Sequence, residues 1–445
     1  MTNHSLNEPE FDREPVQVRK NLIAFLVDVI FYWLAAAFTD PLTVLVTLMA
    51  KLGASPTLLG LSIALRFVGQ YGVQVFVAYF MQGKQKQKKF LVCAVGLARL
   101  PMLILPYLIM HAGDSPQART TALWATIVIL SLVGLGEGLA GVPWAIMLAR
   151  AFSNKLRGRF LTGAQIAAGV LTILISTFFV RSILPDETVS KEAANIASFH
   201  GFGILILLSA IMFQISTVGL MMIQEPEIPP GCPDLPKIPS LREYIALLPK
   251  KLKQDRMFAK LVKVQFYLSA GWAAYPYYAP YALNKFKLAD NWAGTFQLLQ
   301  ALSIALLMPV WNVLMEKRGE AAAVKGVSLI CLITPIYALL FGHLNAYYFG
   351  VVFLLTGGTL ASGGMWLVIN HFVLTHSSEQ ERPMLVALLN LLNLPAAIFP
   401  LAGSLLIQDK VFLEYRGVPV LLVLMTIVIG IGFVKSLQLK PEEVR

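Results

Sequence analysis

The sequence predicts an all-helical, multi-pass membrane protein with twelve transmembrane helices arranged as two pseudo-symmetric six-helix bundles. Three observations carry that prediction. Of the 445 residues, 57% are hydrophobic and only 14% charged, with mean hydropathy +0.67; a soluble domain is roughly 45–50% apolar and about 25% charged. Twelve stretches are long and apolar enough to cross a bilayer, which takes about 20 residues each. Landmarks of the first half recur in order in the second.

Residues 1–20 form a polar tail with no apolar core and no small-residue cleavage site, so no signal peptide is expected. The first six spans are read at 21–50, 56–80, 90–110, 121–147, 160–184 and 199–223, giving an N-terminal bundle over 21–223. Residues 224–257 are rich in proline and then lysine, and read as a linker with a short amphipathic helix. Six more spans, at 258–283, 291–315, 323–342, 346–371, 383–408 and 414–436, make a C-terminal bundle over 258–436, followed by a tail at 437–445. With an even number of spans, both termini share a side. On that side the tails, loops and adjoining span ends hold 26 Lys and Arg residues, against 8 in the opposite loops and span ends. Positive loops stay in the cytoplasm, so both ends are expected there, in a plasma membrane (the inner membrane of a bacterium). The net charge of +11 then serves topology and contact with anionic lipid, and no nucleic-acid partner is called for.

The repeat is visible at four places. FYWLAAAFTDP (31–41) matches FYLSAGWAAYP (266–276), and Gly83 in FMQGK matches Gly319 in EKRGE. The glycine-rich GLGEGLAGVPW (134–144) matches GGTLASGGMW (357–366), and Arg157 falls opposite Arg382. The offsets are 235, 236, 222 and 225 residues, in register apart from small insertions. Both copies start on the same side, so the pseudo-twofold axis runs along the membrane normal.

Six plus six helices, a basic central loop and repeated inner-loop motifs resemble the major facilitator superfamily of secondary transporters. Its motif after the second and eighth helices is roughly G-x-L-x-D-R-x-G-R-R. Here Glu316, Lys317 and Gly319 fit the second copy, while the first keeps Gly83 and Lys84 but has Phe80 at the acidic position. The fourth-helix arginine of many proton-driven drug exporters is replaced by apolar residues and Glu137, and the fifth-helix glycine-proline motif is absent. The resemblance implies alternating access by rocking bundles and a monomeric carrier with a small-molecule substrate. It also implies that Gly83, Lys84, Arg157, Glu316, Lys317, Gly319 and Arg382 act as a cytoplasmic gate.

Five ionisable residues lie well inside spans, all in the first half: Asp28, Asp40, Arg66, Arg99 and Glu137. Charges there cost several kcal/mol and mark function or buried pairing. Residue counts put Asp40 and Arg66 at similar height, which predicts an ion pair, and put Asp28, Arg99 and Glu137 in a second cluster. Proton coupling is expected through at least one of Asp28, Asp40 and Glu137, with Asp28 and Glu137 favoured because first and fourth helices line the cavity in the resembled family, and with Na⁺ the other candidate ion. The Asp40-Pro41 step requires a neighbour for the carboxylate and for the freed backbone carbonyl.

For the substrate cavity the sequence offers Tyr32, Trp272, Tyr275, Gln297, Gln300, Trp366, Asn370, His371, Asn390 and Asn393, an aromatic and amide wall suited to a neutral or amphipathic solute. Tyr278 and Tyr281 read as an interfacial belt. Cys93, Cys232 and Cys331 are widely spaced and the six histidines are scattered, so no metal site, disulfide or cofactor is expected. No nucleophile or phosphate-loop motif points to an enzyme. A lipid or glycolipid flippase on the same fold, or a non-transporting receptor, are the alternatives to a transporter.

Overall fold

The structure is a computed structural model describing residues 15–225, 256–371, 394–408 and 417–439, apart from 82–83, 85, 187–190, 362–363 and the single positions 366 and 370. Most of the predicted linker lies outside the described residues. Nine described helices are long and apolar enough to cross a membrane: Pro15–Phe38, Pro56–Met81, Lys88–Met110, Pro116–Ala151, Arg159–Ile183, Ile196–Met222, Trp292–Arg318, Glu320–Leu340 and Val418–Leu437. They correspond to predicted spans one to six, eight, nine and twelve. Span ten is represented by Ala346–Thr356 and the π-turn Gly357–Ala361, and span eleven by Pro395–Gln408.

Prolines decide where helices break. Span one was predicted as one element over 21–50, but its helix starts at Pro15, stops at Phe38 and resumes at Val44–Lys51. Pro41 has no N–H to continue the ladder and its ring crowds the preceding turn. Its repeat partner Pro276 acts in the same way. Span seven runs from Arg256–Leu268 through 3₁₀ turns at Ser269–Ala273 and Tyr275–Tyr277 before Tyr278–Phe286. Span four, by contrast, starts cleanly on Ser115, whose side chain accepts from Ala118 N at 3.0 Å, with Pro116 in the first turn.

Within the halves, span one packs on six, three on four, eight on ten and nine on twelve; between the halves, two packs on eleven and five on eight. Small residues set these approaches. A Cβ on Gly134 would sit 2.5 Å from Arg66 O, and one on Gly69 would sit 2.8 Å from Leu135 N, so spans two and four meet backbone to backbone. Gly357 and Gly358 press in the same way on the backbone of span eight at Gln300 and Ser303. The glycine-rich repeat thus has one structural job in both halves, close helix contact.

The halves are tied together at the predicted outer end. Lys51 pairs with Asp290, which also accepts from Ser198 Oγ at 2.6 Å. Tyr277 donates to Pro56 O at 3.3 Å and Pro400 O at 2.6 Å, and Gly294 abuts the Arg181 backbone.

Candidate functional site

The break in span one is held from two directions. Pro41 cannot donate to Ala37 O, and that carbonyl accepts instead from Gln297 Nε2 of span eight at 2.7 Å. The Asp40 carboxylate folds back on its own chain: Oδ1 accepts from Leu42 N at 3.0 Å, Thr43 N at 2.8 Å and Thr43 Oγ1 at 2.7 Å. It caps the start of the second helical piece. The expected Asp40–Arg66 ion pair is therefore corrected. The unpaired N–H groups of a restarting helix lie two and three residues away, and an aspartate satisfies them with no long side chain to immobilise.

Arg66 turns to span four instead. Its Nη2 donates to Glu137 Oε1 at 3.3 Å and Oε2 at 3.2 Å, and Tyr32 OH donates to Oε1 at 3.2 Å. The glycines at 69 and 134 bring the two helices close enough for this contact. The pair is enclosed but not sealed, with side chains 14% and 9% exposed.

Asp28 and Arg99 form a separate lock, so the expected three-membered cluster with Glu137 divides. Asp28 accepts from Ser216 Oγ at 2.6 Å and Trp144 Nε1 at 2.9 Å. Arg99 donates to Ser216 Oγ at 3.0 Å, Thr217 Oγ1 at 3.2 Å and Phe213 O at 3.3 Å. Ser216 thus relays one charge to the other. The Arg99 guanidinium also lies 4.7 Å from the Phe213 ring centre and 5.6 Å from that of Tyr32, a cation–π arrangement. Ser216, Thr217 and Trp144 were not singled out from sequence. Hydroxyls one residue apart in an apolar helix were the available signal.

Beside Arg66 in the chain, Phe67 begins an aromatic file joining the halves. Phe67 packs between Tyr71, at 5.7 Å, and Trp272 of span seven, at 5.0 Å; Trp272 leads to Tyr275 at 5.5 Å and Tyr275 to Tyr278 at 6.0 Å. Tyr278 is buried against Phe349 and Phe353, a core residue and not part of an interfacial belt. Gln300 is buried in span eight with no partner for its side-chain oxygen among the described residues. His371 faces Glu320 at 3.0 Å, which gives it a partner at the far end of span ten.

Among the expected gate residues, Gly319 ends span eight with φ +77°, a conformation that favours glycine, while Glu316 and Lys317 are exposed beside it. Arg157 is half-buried in the first turn of span five, and the Lys84 carbonyl accepts from Gln87 Nε2 at 3.2 Å and Arg150 Nη2 at 3.4 Å. Trp366, Asn370, Asn390, Asn393, Gly83 and Arg382 lie outside the described residues.

The sequence profile of the Major Facilitator Superfamily matches residues 24–400. The chain belongs to that superfamily. Solved superfamily structures share the fold. A bacterial homologue of the human lysosomal transporter Spinster, in an inward-facing and unoccupied conformation, is 12% identical with a TM-score of 0.62, covering 94% of this chain and 97% of the other. A D-xylose–proton symporter is 14% identical with a TM-score of 0.60, covering 93% and 97%. A POT family transporter in complex with 5-aminolevulinic acid is 13% identical with a TM-score of 0.65, covering 93% and 96%. No curated protein matches the chain in sequence.

Proposed function

We propose that this superfamily member is a secondary active transporter that carries a small amphipathic solute across the plasma membrane, driven by protons through Glu137, with both termini in the cytoplasm. The observation that carries this reading is the contrast among three carboxylates. Asp40 serves as a backbone cap, and Asp28 is sealed against two donors and a relayed arginine. Glu137 alone of the three is held by a partly exposed guanidinium and a phenol at the meeting of spans one, two and four. A coupling acid has to reach water to load its proton, and it has to lose a partner when it does. Glu137 meets both conditions.

The test is proteoliposomes loaded with a pH-sensitive dye and challenged with sugars, nucleosides, peptides and aromatic acids. Solute-driven proton entry is expected for the wild type. Glu137→Gln is expected to abolish accumulation against a gradient while retaining solute exchange. Accumulation by the Gln variant equal to wild type would remove Glu137 from the coupling step.

Alternating access requires the outer ties to part on every cycle. A Lys51→Cys, Asp290→Cys double variant is therefore expected to lose at least tenfold of its flux on oxidation and regain it on reduction. Unchanged flux with the cross-link in place would mean that the outer end does not open along this seam.

A further inference from the structure

Arg66 carries more donors than Glu137 uses. Only Nη2 reaches the carboxylate; Nε and Nη1 make no hydrogen bond among the described residues, and neither is sealed from open space. The Tyr71 hydroxyl and the Trp272 indole N–H are likewise unbonded among the described residues and open. Tyr71 sits on the π-turn Val68–Gly72 that follows Arg66 directly. Irregular turns of this kind recur at functional sites. Four polar groups from spans two and seven thus flank one aromatic file, in which the Phe67 ring touches both the Tyr71 and the Trp272 rings. All of their free polar positions include donors, and a fixed cation sits among them. The acidic oxygens nearby are already occupied by Arg66 and Tyr32.

Resting on the transporter reading above, we infer that the solute is a small monocarboxylate with an aromatic or apolar body, its carboxylate bound by Arg66 and its body packed against the aromatic file of Tyr71, Phe67 and Trp272. Proton and solute then exchange places on one arginine. A proton adds to a Glu137 oxygen, Nη2 is released, and the incoming carboxylate becomes the guanidinium's partner. The charge of the site is the same before and after, so one proton travels with one anion. Fork-like pairing of guanidinium with carboxylate supplies both strength and orientation.

The experiment is thermal stabilisation of the purified full-length protein in nanodiscs by millimolar benzoate and phenylacetate, against benzamide, phenylacetamide and benzylamine. The carboxylates are expected to raise the melting temperature, more so at mildly acidic pH, and the amides and the amine to leave it unchanged. Glu137→Gln is expected to keep the carboxylate response and lose its pH dependence. The neutral pair Arg66→Gln, Glu137→Gln is expected to melt cooperatively and bind carboxylate about tenfold to a hundredfold more weakly, the worth of hydrogen bonds to a charged group. Equal stabilisation by amide or amine, no response to any carboxylate, or full binding by the neutral pair would each overturn the anion site. Proton-coupled uptake of a neutral solute would overturn it while leaving the coupling proposal intact. Carboxylate binding without any proton flux would do the reverse.

Discussion

Replacing Asp28 with alanine is expected to destabilise the protein by about 3–5 kcal/mol, the cost of removing one partner from a buried charge pair. Asp28 and Arg99 are each 5% exposed, so solvent screening does little to soften the loss. Arg99 would keep its bonds to Phe213 O, Ser216 and Thr217, all of them neutral acceptors, with no anion relayed through Ser216. The Trp144 indole N–H would lose its acceptor as well. Asp28→Asn separates the two contributions. The amide oxygen still accepts from Ser216 or Trp144, so most of its penalty is the missing charge. An Asp28→Leu, Arg99→Met double variant removes the uncompensated cation and is expected to recover most of the alanine loss. Melting of the detergent-purified proteins, checked by denaturant titration, reads all three. An alanine variant within about 1 kcal/mol of wild type would mean that Arg99 is neutralised or hydrated in some other way.

How far the sequence could be read depends on which coordinate of a helix is at stake. Depth is a residue count at about 1.5 Å per residue, and from it the spans, the basic ends and the mid-membrane level of Asp28, Arg66, Arg99 and Glu137 all follow. Azimuth is another matter. Span four carries apolar residues on every side, so its pattern does not tell which face Glu137 shares with a neighbour. Asp40 and Arg66 stand at matching heights, yet the aspartate finishes on Leu42 and Thr43 and the arginine on Glu137. What fixes the arginine's direction is Gly134 against the Arg66 carbonyl, a contact between helices that 67 intervening residues separate along the chain. Pro41 announced a break and an orphaned carbonyl. That its donor is Gln297, in the other half of the molecule, depended on how the bundles dock. Gly319 was legible for the opposite reason, since its positive φ is a local demand that any relative rotation of helices leaves unchanged.

Gly138→Ala is expected to cripple transport, through geometry and not charge. A Cβ at this position would fall against Gly69 O, 2.6 Å from Val73 Cγ2 and 2.8 Å from Gln70 O. Two of these three atoms are backbone belonging to or next to the π-turn Val68–Gly72, which cannot swing aside as a side chain would. Spans two and four must separate or that turn must unwind. Overpacking typically costs about 1–3 kcal/mol, and here it carries a second effect. Arg66 meets Glu137 through a single nitrogen at 3.2–3.3 Å, so a shift of about 1 Å between the helices takes the pair beyond hydrogen-bonding range. Transport is expected to fall at least tenfold even at temperatures where the variant stays folded. Gly163→Ala is the control, because nothing lies within 4 Å of its Cβ; there the methyl is expected to stabilise the helix by about 0.5–1 kcal/mol and leave transport unchanged. If Gly138→Ala transported normally, the Arg66–Glu137 contact would have no part in the cycle, whatever its role in holding spans two and four together.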